Sequence, residues 1–195
     1  MRFLKSNIDS ITKLYINQIG VAIFSMFLYT ATGAVESDHT ALIKCLISVF
    51  SIAFYFALVY NVAWEIGAKD KIRIDAKRLE REPKKGIFLG FWANSLNFIV
   101  IGAALILYVL YALTSVETFR SLFAILNLIF RLFVSMYLGV IQGICASFEE
   151  SVHLYWISQT VLYIVFCVIS SLAIHTSYIL GLKDWRIFKK TAQKK

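Results

Sequence analysis

Apolar residues come in five long runs along the chain, parted by short polar stretches. The runs cover roughly 14–35, 41–68, 87–113, 119–148 and 152–182. About 20 apolar residues suffice to cross a bilayer as a helix. Each run therefore predicts a membrane-embedded helix. The excess length of several runs is absorbed by tilt or by interfacial ends. The sole proline, Pro83, lies in a polar stretch, so no run carries a proline kink. The pattern predicts an all-α, polytopic integral membrane protein forming a single transmembrane domain.

Composition agrees with this reading. Of the 195 residues, 59% are apolar and only 16% are charged. The mean hydropathy is +0.71. The net charge of +8 raises the question of nucleic acid. Its distribution argues against that partner, because the basic residues cluster beside apolar runs, as cytoplasmic flanks do. The first 13 residues hold Arg2, Lys5 and Lys13. Phe3, Leu4, Ile8 and Ile11 recur there at helical spacing, so this block can lie on the membrane surface. No small-residue cleavage site follows the first run closely enough to mark a signal peptide.

Charge placement sets an expected topology. The first block, the loop 69–86 and the tail 183–195 are basic, whereas the turns near 36–40 and 148–153 are acidic. The positive-inside rule places all three basic blocks in the cytoplasm and the protein in the cell membrane. Five plain spans cannot do this, since an odd number puts the two ends on opposite sides. The fourth run is the exception in composition. It carries Arg120 and, deep inside, Arg131, and it is interrupted by Gly139, Gln142 and Gly143. An arginine at mid-helix costs about 2.5–3.5 kcal/mol on insertion scales. A broken or re-entrant fourth segment would return both ends to the cytoplasm; five plain spans would not.

Two segments repeat one frame at an offset of 114 residues. Glu36, Ser37 and His39 align with Glu150, Ser151 and His153. At the far end Gly67, Lys69 and Asp70 align with Gly181, Lys183 and Asp184, and Trp64 with Tyr178. The frame reads as a two-fold internal repeat, of the kind found in transporter folds. It also reads as a repeated helix with serine caps at one end and a glycine stop at the other. The stretches "WEIGAKDKIRIDAKRLEREPKKG", "SYILGLKDWRIF" and "RLFVSMYLGVIQG" resemble an uncharacterised family of small polytopic membrane proteins from Firmicutes. The resemblance covers about a third of the chain. It implies a polytopic helical fold and carries no activity or site residue with it.

Candidate chemistry falls into three groups. Glu36 with His39, and Glu150 with His153, have the Glu-x-x-His spacing of di-metal helical sites. They form one metal site only if both turns share a side. Among the buried polar groups, Asn127 and Arg131 lie on one helical face, and Asn94, Asn97 and His175 sit in neighbouring runs. An intramembrane arginine is a functional candidate for an anionic ligand. In the loop, Lys69, Lys71, Arg73, Lys77, Arg78, Lys84 and Lys85 face anionic lipid headgroups or a partner. An apolar side formed by Ile72, Ile74, Ala76 and Leu79 allows this loop either an interfacial helix before Pro83 or a solvated course. Glu65 and Lys69 have ion-pair spacing. Cys45, Cys145 and Cys167 all lie in apolar runs without a Cys-x-x-Cys pair, and read as packing residues.

No nucleophile elbow, zinc-protease motif or phosphate loop occurs in the sequence. The expectation is a non-enzymatic membrane protein without a cofactor. It is either transport-related, as a small solute-binding or permease-type subunit, or a scaffold, assembly or immunity-type interaction protein. Another membrane subunit is an expected partner of either.

Overall fold

The computed structural model describes residues 2–33, 39–82, 84–146 and 152–186. Seven α-helices occupy them: α1 (Arg2–Gly33), α2 (Thr40–Asp75), α3 (Lys85–Ala93), α4 (Ser95–Thr114), α5 (Glu117–Phe133), α6 (Leu138–Cys145) and α7 (Val152–Leu182). A 3-10 turn, Ser135–Tyr137, joins α5 to α6. No strand occurs among the described residues. α1, α2, α4 and α7 are each long and apolar enough to cross a membrane, which makes the protein a multi-pass membrane protein.

α2 and α7 form the central pair. Their contacts climb together along both helices: Tyr55 with Ser170, Gly67 with Gly181, and Asp70 with Tyr178. The two helices therefore run parallel. The approach is closest where both lack side chains. A Cβ on Gly67 would overlap the carbonyl oxygen of Tyr178 and sit 3.0 Å from the Gly181 Cα. A Cβ on Gly181 would overlap the carbonyl of Trp64 and sit 3.0 Å from the Gly67 Cα. Trp64 and Tyr178 are themselves 114 residues apart, so the repeated frame packs on itself as a local two-fold pair. Small residues let membrane helices approach backbone to backbone, where dispersion replaces the missing hydrophobic drive.

The remaining elements assemble around this pair. α1 runs antiparallel to α2, with Tyr29 beside Lys44 at one end and Lys13 beside Glu65 at the other. α3 runs antiparallel along α7, with Gly86 against His175 and Gly90 against Ser171. α4 then leaves α7 to pair with α5, where Tyr108 packs on Phe123. The sequence pattern reads α3 and α4 as one helix, but the structure breaks them at Asn94. The Asn94 amide donates to the Gly90 carbonyl at 3.1 Å, competing with the helical ladder. The same amide ties the break to Ser171 on α7.

The fourth segment is broken as well, with a bend of 75° between α5 and the stretch 135–145. α5 runs parallel to α7, since Phe123 packs on Trp156 and Phe130 on Tyr163. The chain turns at Val134 in mid-bundle. It then returns to the end from which it came: Ser135 bonds the Ala22 carbonyl at 2.5 Å, Gly139 N–H bonds Ser48 at 2.8 Å, and Gln142 accepts from Tyr29. These partners lie progressively nearer the end where α1 stops and α2 begins. The segment is thus a re-entrant hairpin, and α1 starts at the same end of the bundle as that at which α7 stops. Such irregular backbone at depth requires cover from protein. Here Val134, Ser135, Met136 and Tyr137 are all buried.

Of the two expected courses the basic loop follows the solvated one, over the exposed, non-helical residues 76–82. Its first residues, 69–75, are simply the end of α2, a helix of 36 residues and so about 54 Å long. That length exceeds the roughly 30 Å hydrocarbon core, so the last turns project beyond it. The helix stops where Lys77 adopts a left-handed conformation (φ 56°) and the Arg78 N–H bonds the Arg73 carbonyl.

Candidate functional site

α5 is an inside-out amphipathic helix. Leu122, Ile125, Leu128 and Leu132 are exposed on its outer side, as lipid contact requires, while Asn127 and Phe130 are buried. Phe123, Asn127 and Arg131 share a stripe at helical spacing that turns inward. The sequence suits a hairpin that keeps its costly polar groups away from lipid.

That stripe lines an open groove of about 570 Å³ between α4, α5 and α7, which Leu128 of the outer side also borders. Tyr108, Tyr111, Phe123 and Trp156 form aromatic walls, and Arg120, Asn127 and Arg131 supply the polar groups. The Arg131 guanidinium lies 5.9 Å from the Trp156 ring centre, reaching back toward the start of α5. It enters no ion pair or hydrogen bond among the described residues. Arg120, by contrast, is an exposed residue at the mouth, 3.5 Å from Glu117.

Further in, the crevice narrows to a void of about 40 Å³ lined by Asn127, Phe130, Gln159, Thr160 and Tyr163, among others. Tyr108, Phe123, Asn127 and Trp156 border both spaces. The Tyr163 hydroxyl is buried there without a hydrogen-bond partner among the described residues. A buried hydroxyl left unpaired costs about 1–3 kcal/mol. Facing a cavity, it can regain that energy from a ligand or a water.

The structure divides the polar residues singled out in the sequence. Asn127 and Arg131 share the cavity. Asn94 and Asn97 do not line it. They are packed at the α3–α4 break, where the Asn97 amide donates to Asn94 at 3.4 Å and Tyr55 bonds Ser170 at 2.8 Å. Those bonds lock α2, α3 and α7 together. His175 is half-buried against Gly86, at the far end of α7 from Trp156.

The loop cations also fall into different settings. Lys69 pairs with Glu65 at 2.5 Å, as their spacing suggests, and Lys71 reaches Asp184 at 3.8 Å. Lys85 is the least exposed of these and holds the buried Asp70 carboxylate at 2.7 Å, which also accepts from Tyr178. Arg73 approaches Asp70 at 3.9 Å. Lys77, Arg78 and Lys84 are exposed.

Of the expected metal ligands, Glu36, Glu150 and the side chain of His153 lie outside the described residues, and His39 is exposed. Parallel α2 and α7 start at one end of the bundle, so His39 and the backbone of His153 lie at the same end. No group of three or more potential ligands gathers among the described residues.

Gln159, Thr160 and Tyr163 escaped the sequence reading. With Trp156 they recur at i, i+3, i+4 and i+7, the spacing of one helical face. This is the signal that could have found them. The chain matches no protein-family model, no curated protein and no solved structure, so the site stands on its own geometry.

Proposed function

We propose that this multi-pass membrane protein is a transport-related, solute-binding or permease-type subunit that takes a small organic anion with a flat apolar body. The observation that carries the reading is Arg131, brought by a re-entrant hairpin against an aromatic groove and without a counter-ion among the described residues. A guanidinium presents the planar fork that fits a carboxylate. Tyr108, Phe123 and Trp156 offer faces for stacking. Asn127, Gln159 and the unpaired Tyr163 hydroxyl can orient polar substituents. The cavity volume falls within the roughly 300–1,000 Å³ of small-molecule sites. The role is binding rather than catalysis. By the positive-inside rule, the basic end lies in the cytoplasm and the cavity opens toward the outer face of the cell membrane.

Trp156 provides the readout. Purified protein is titrated with benzoate, phenylacetate and indole-3-acetate, and with the corresponding amides, while tryptophan emission is followed. A saturable change with carboxylates is expected, absent in Trp156→Phe. Arg131→Leu should weaken it by about 10–150-fold, the worth of a charge-assisted hydrogen bond. Equal binding of amides and carboxylates, or an unchanged affinity in a stably folded Arg131→Leu, would refute the anion reading.

A further inference from the structure

A second cavity, of about 250 Å³, lies at the opposite, basic end of the bundle. It is formed by the first turns of α1, the last turns of α2 and the start of α3. Four cations line it, Lys13, Lys69, Arg73 and Lys85, with three carboxylates, Asp9, Glu65 and Asp70. Most of these charges are already spent on one another. Lys69 holds Glu65, and Lys85 together with the Tyr178 hydroxyl holds Asp70. What remains facing the cavity is specific. Lys13 enters no ion pair among the described residues, and Arg73 reaches Asp70 only at 3.9 Å. Beside them stand two acceptors, the Asp9 carboxylate, which likewise enters no ion pair there, and the Ser10 hydroxyl.

This residue set recognises two kinds of group at once. Lys13 and Arg73 fit a phosphate, because both donate charge-assisted hydrogen bonds. Asp9 and Ser10 fit hydroxyls, and the Asp9 charge disfavours a bare polyanion. The position is also informative. Leu14, next to Lys13, is buried and opens the apolar run 14–35, so the cavity sits where the chain passes from polar to apolar. That is the headgroup level of a bilayer, where basic residues meet anionic lipid. The volume equals about eight water molecules at roughly 30 Å³ each, room for one small headgroup.

We propose that this pocket binds a hydroxyl-bearing phosphate ester carried on an anionic lipid, of the phosphoglycerol type. Lys13 and Arg73 clasp the phosphate, and Asp9 and Ser10 accept from the headgroup hydroxyls. The buried Asp70–Lys85–Tyr178 cluster forms the floor. The site is independent of the arginine cavity, which lies at the other end of the bundle.

The test uses the full chain in detergent, titrated with phosphatidylglycerol, phosphatidylethanolamine and phosphatidylcholine and followed by native mass spectrometry. Phosphatidylglycerol should be retained preferentially. Lys13→Gln combined with Arg73→Gln should weaken its retention by about tenfold or more, with little change for phosphatidylcholine. Both side chains are exposed, so the variant keeps its fold, and an unchanged melting curve checks this. Lys44→Gln, at the other end and lining neither cavity, should leave lipid retention unaltered. Equal retention of the three lipids, or no loss in the double variant, would overturn the proposal. Displacement of the bound lipid by millimolar glycerol phosphate or inorganic phosphate would keep the phosphate site but overturn its assignment to a membrane lipid.

Discussion

The α2–α7 crossing makes a quantitative prediction about Gly67 and Gly181. In Gly67→Ala the new methyl meets a backbone carbonyl, that of Tyr178, and in Gly181→Ala it meets that of Trp64. Neither carbonyl can rotate away as a flexible side chain would, so the helices must separate. Overpacking costs about 1–3 kcal/mol, occasionally more, and a backbone clash belongs at the upper end. Replacing glycine by alanine inside a helix returns up to about 1 kcal/mol of intrinsic propensity. Each single variant should therefore lose about 2 kcal/mol, or about 30-fold in its folding equilibrium. Gly20, Gly102 and Gly143 are the controls, since a Cβ at any of them meets nothing within 4 Å. Alanine there should be neutral or stabilising. The two-fold arrangement adds a sharper requirement. The same separation that admits one methyl largely admits the other, so the double variant should cost about 3 kcal/mol or less, below the sum of the singles. Reversible unfolding of the purified protein in mixed micelles measures all of these. Additive losses, or singles indistinguishable from Gly20→Ala, would refute the close reciprocal crossing.

Other consequences are equally direct. Lys85→Met leaves the Asp70 carboxylate buried beside Tyr178 without its closest cation, and should cost about 3–5 kcal/mol in the same unfolding assay. Adding Asp70→Asn to it should recover a large part of the loss. Tyr178→Phe removes one hydrogen bond to that carboxylate and should cost about 1.5–3 kcal/mol, without altering ligand response at the arginine cavity. Topology can be read by labelling single cysteines in a background where Cys45, Cys145 and Cys167 are replaced. Ser115→Cys and Ala146→Cys, at the two mouths of the hairpin, should label from one side, and Arg186→Cys from the other. Labelling of 115 and 146 from opposite sides would exclude the re-entrant course.

Particular residues show why some of this architecture was legible in the sequence and some was not. Apolar runs announce spans because lipid imposes length and composition on any helix that crosses it. The hairpin left a trace for the same reason. Arg131 is expensive in a plain span, and Gly139 lets α6 lie directly on the Lys44 carbonyl of α2. The break at Asn94 left none, since nothing but an asparagine marks it and asparagine is tolerated within helices. Its effect depends on Ser171, a partner 77 residues away. Gln159 and Tyr163 were hidden by a different circumstance. In a soluble helix the polar face points outward and names itself; in α7, lipid, core and cavity all border the same apolar sequence. Which polar residue faces a void is decided by the neighbours, not by the helix.

The two breaks also belong to one mechanical arrangement. α2 and α7, fused through Gly67 and Gly181 and again through Tyr55 and Ser170, leave little room for relative movement. The α3–α4 break is pinned to this pair by Asn94, and the hairpin return is pinned to it by Gly139. What is not pinned is the first limb of the hairpin. α5 meets α7 through aromatic rings, Phe123 on Trp156 and Phe130 on Tyr163, with no side-chain hydrogen bond between the two helices among the described residues. Rings slide and tilt at low cost compared with hydrogen bonds held at depth. Arg131, Asn127 and the cavity therefore sit on the most adjustable interface of the bundle, against a rigid wall. An anion bridging Arg131 to Tyr163 would couple its own arrival to the position of α5.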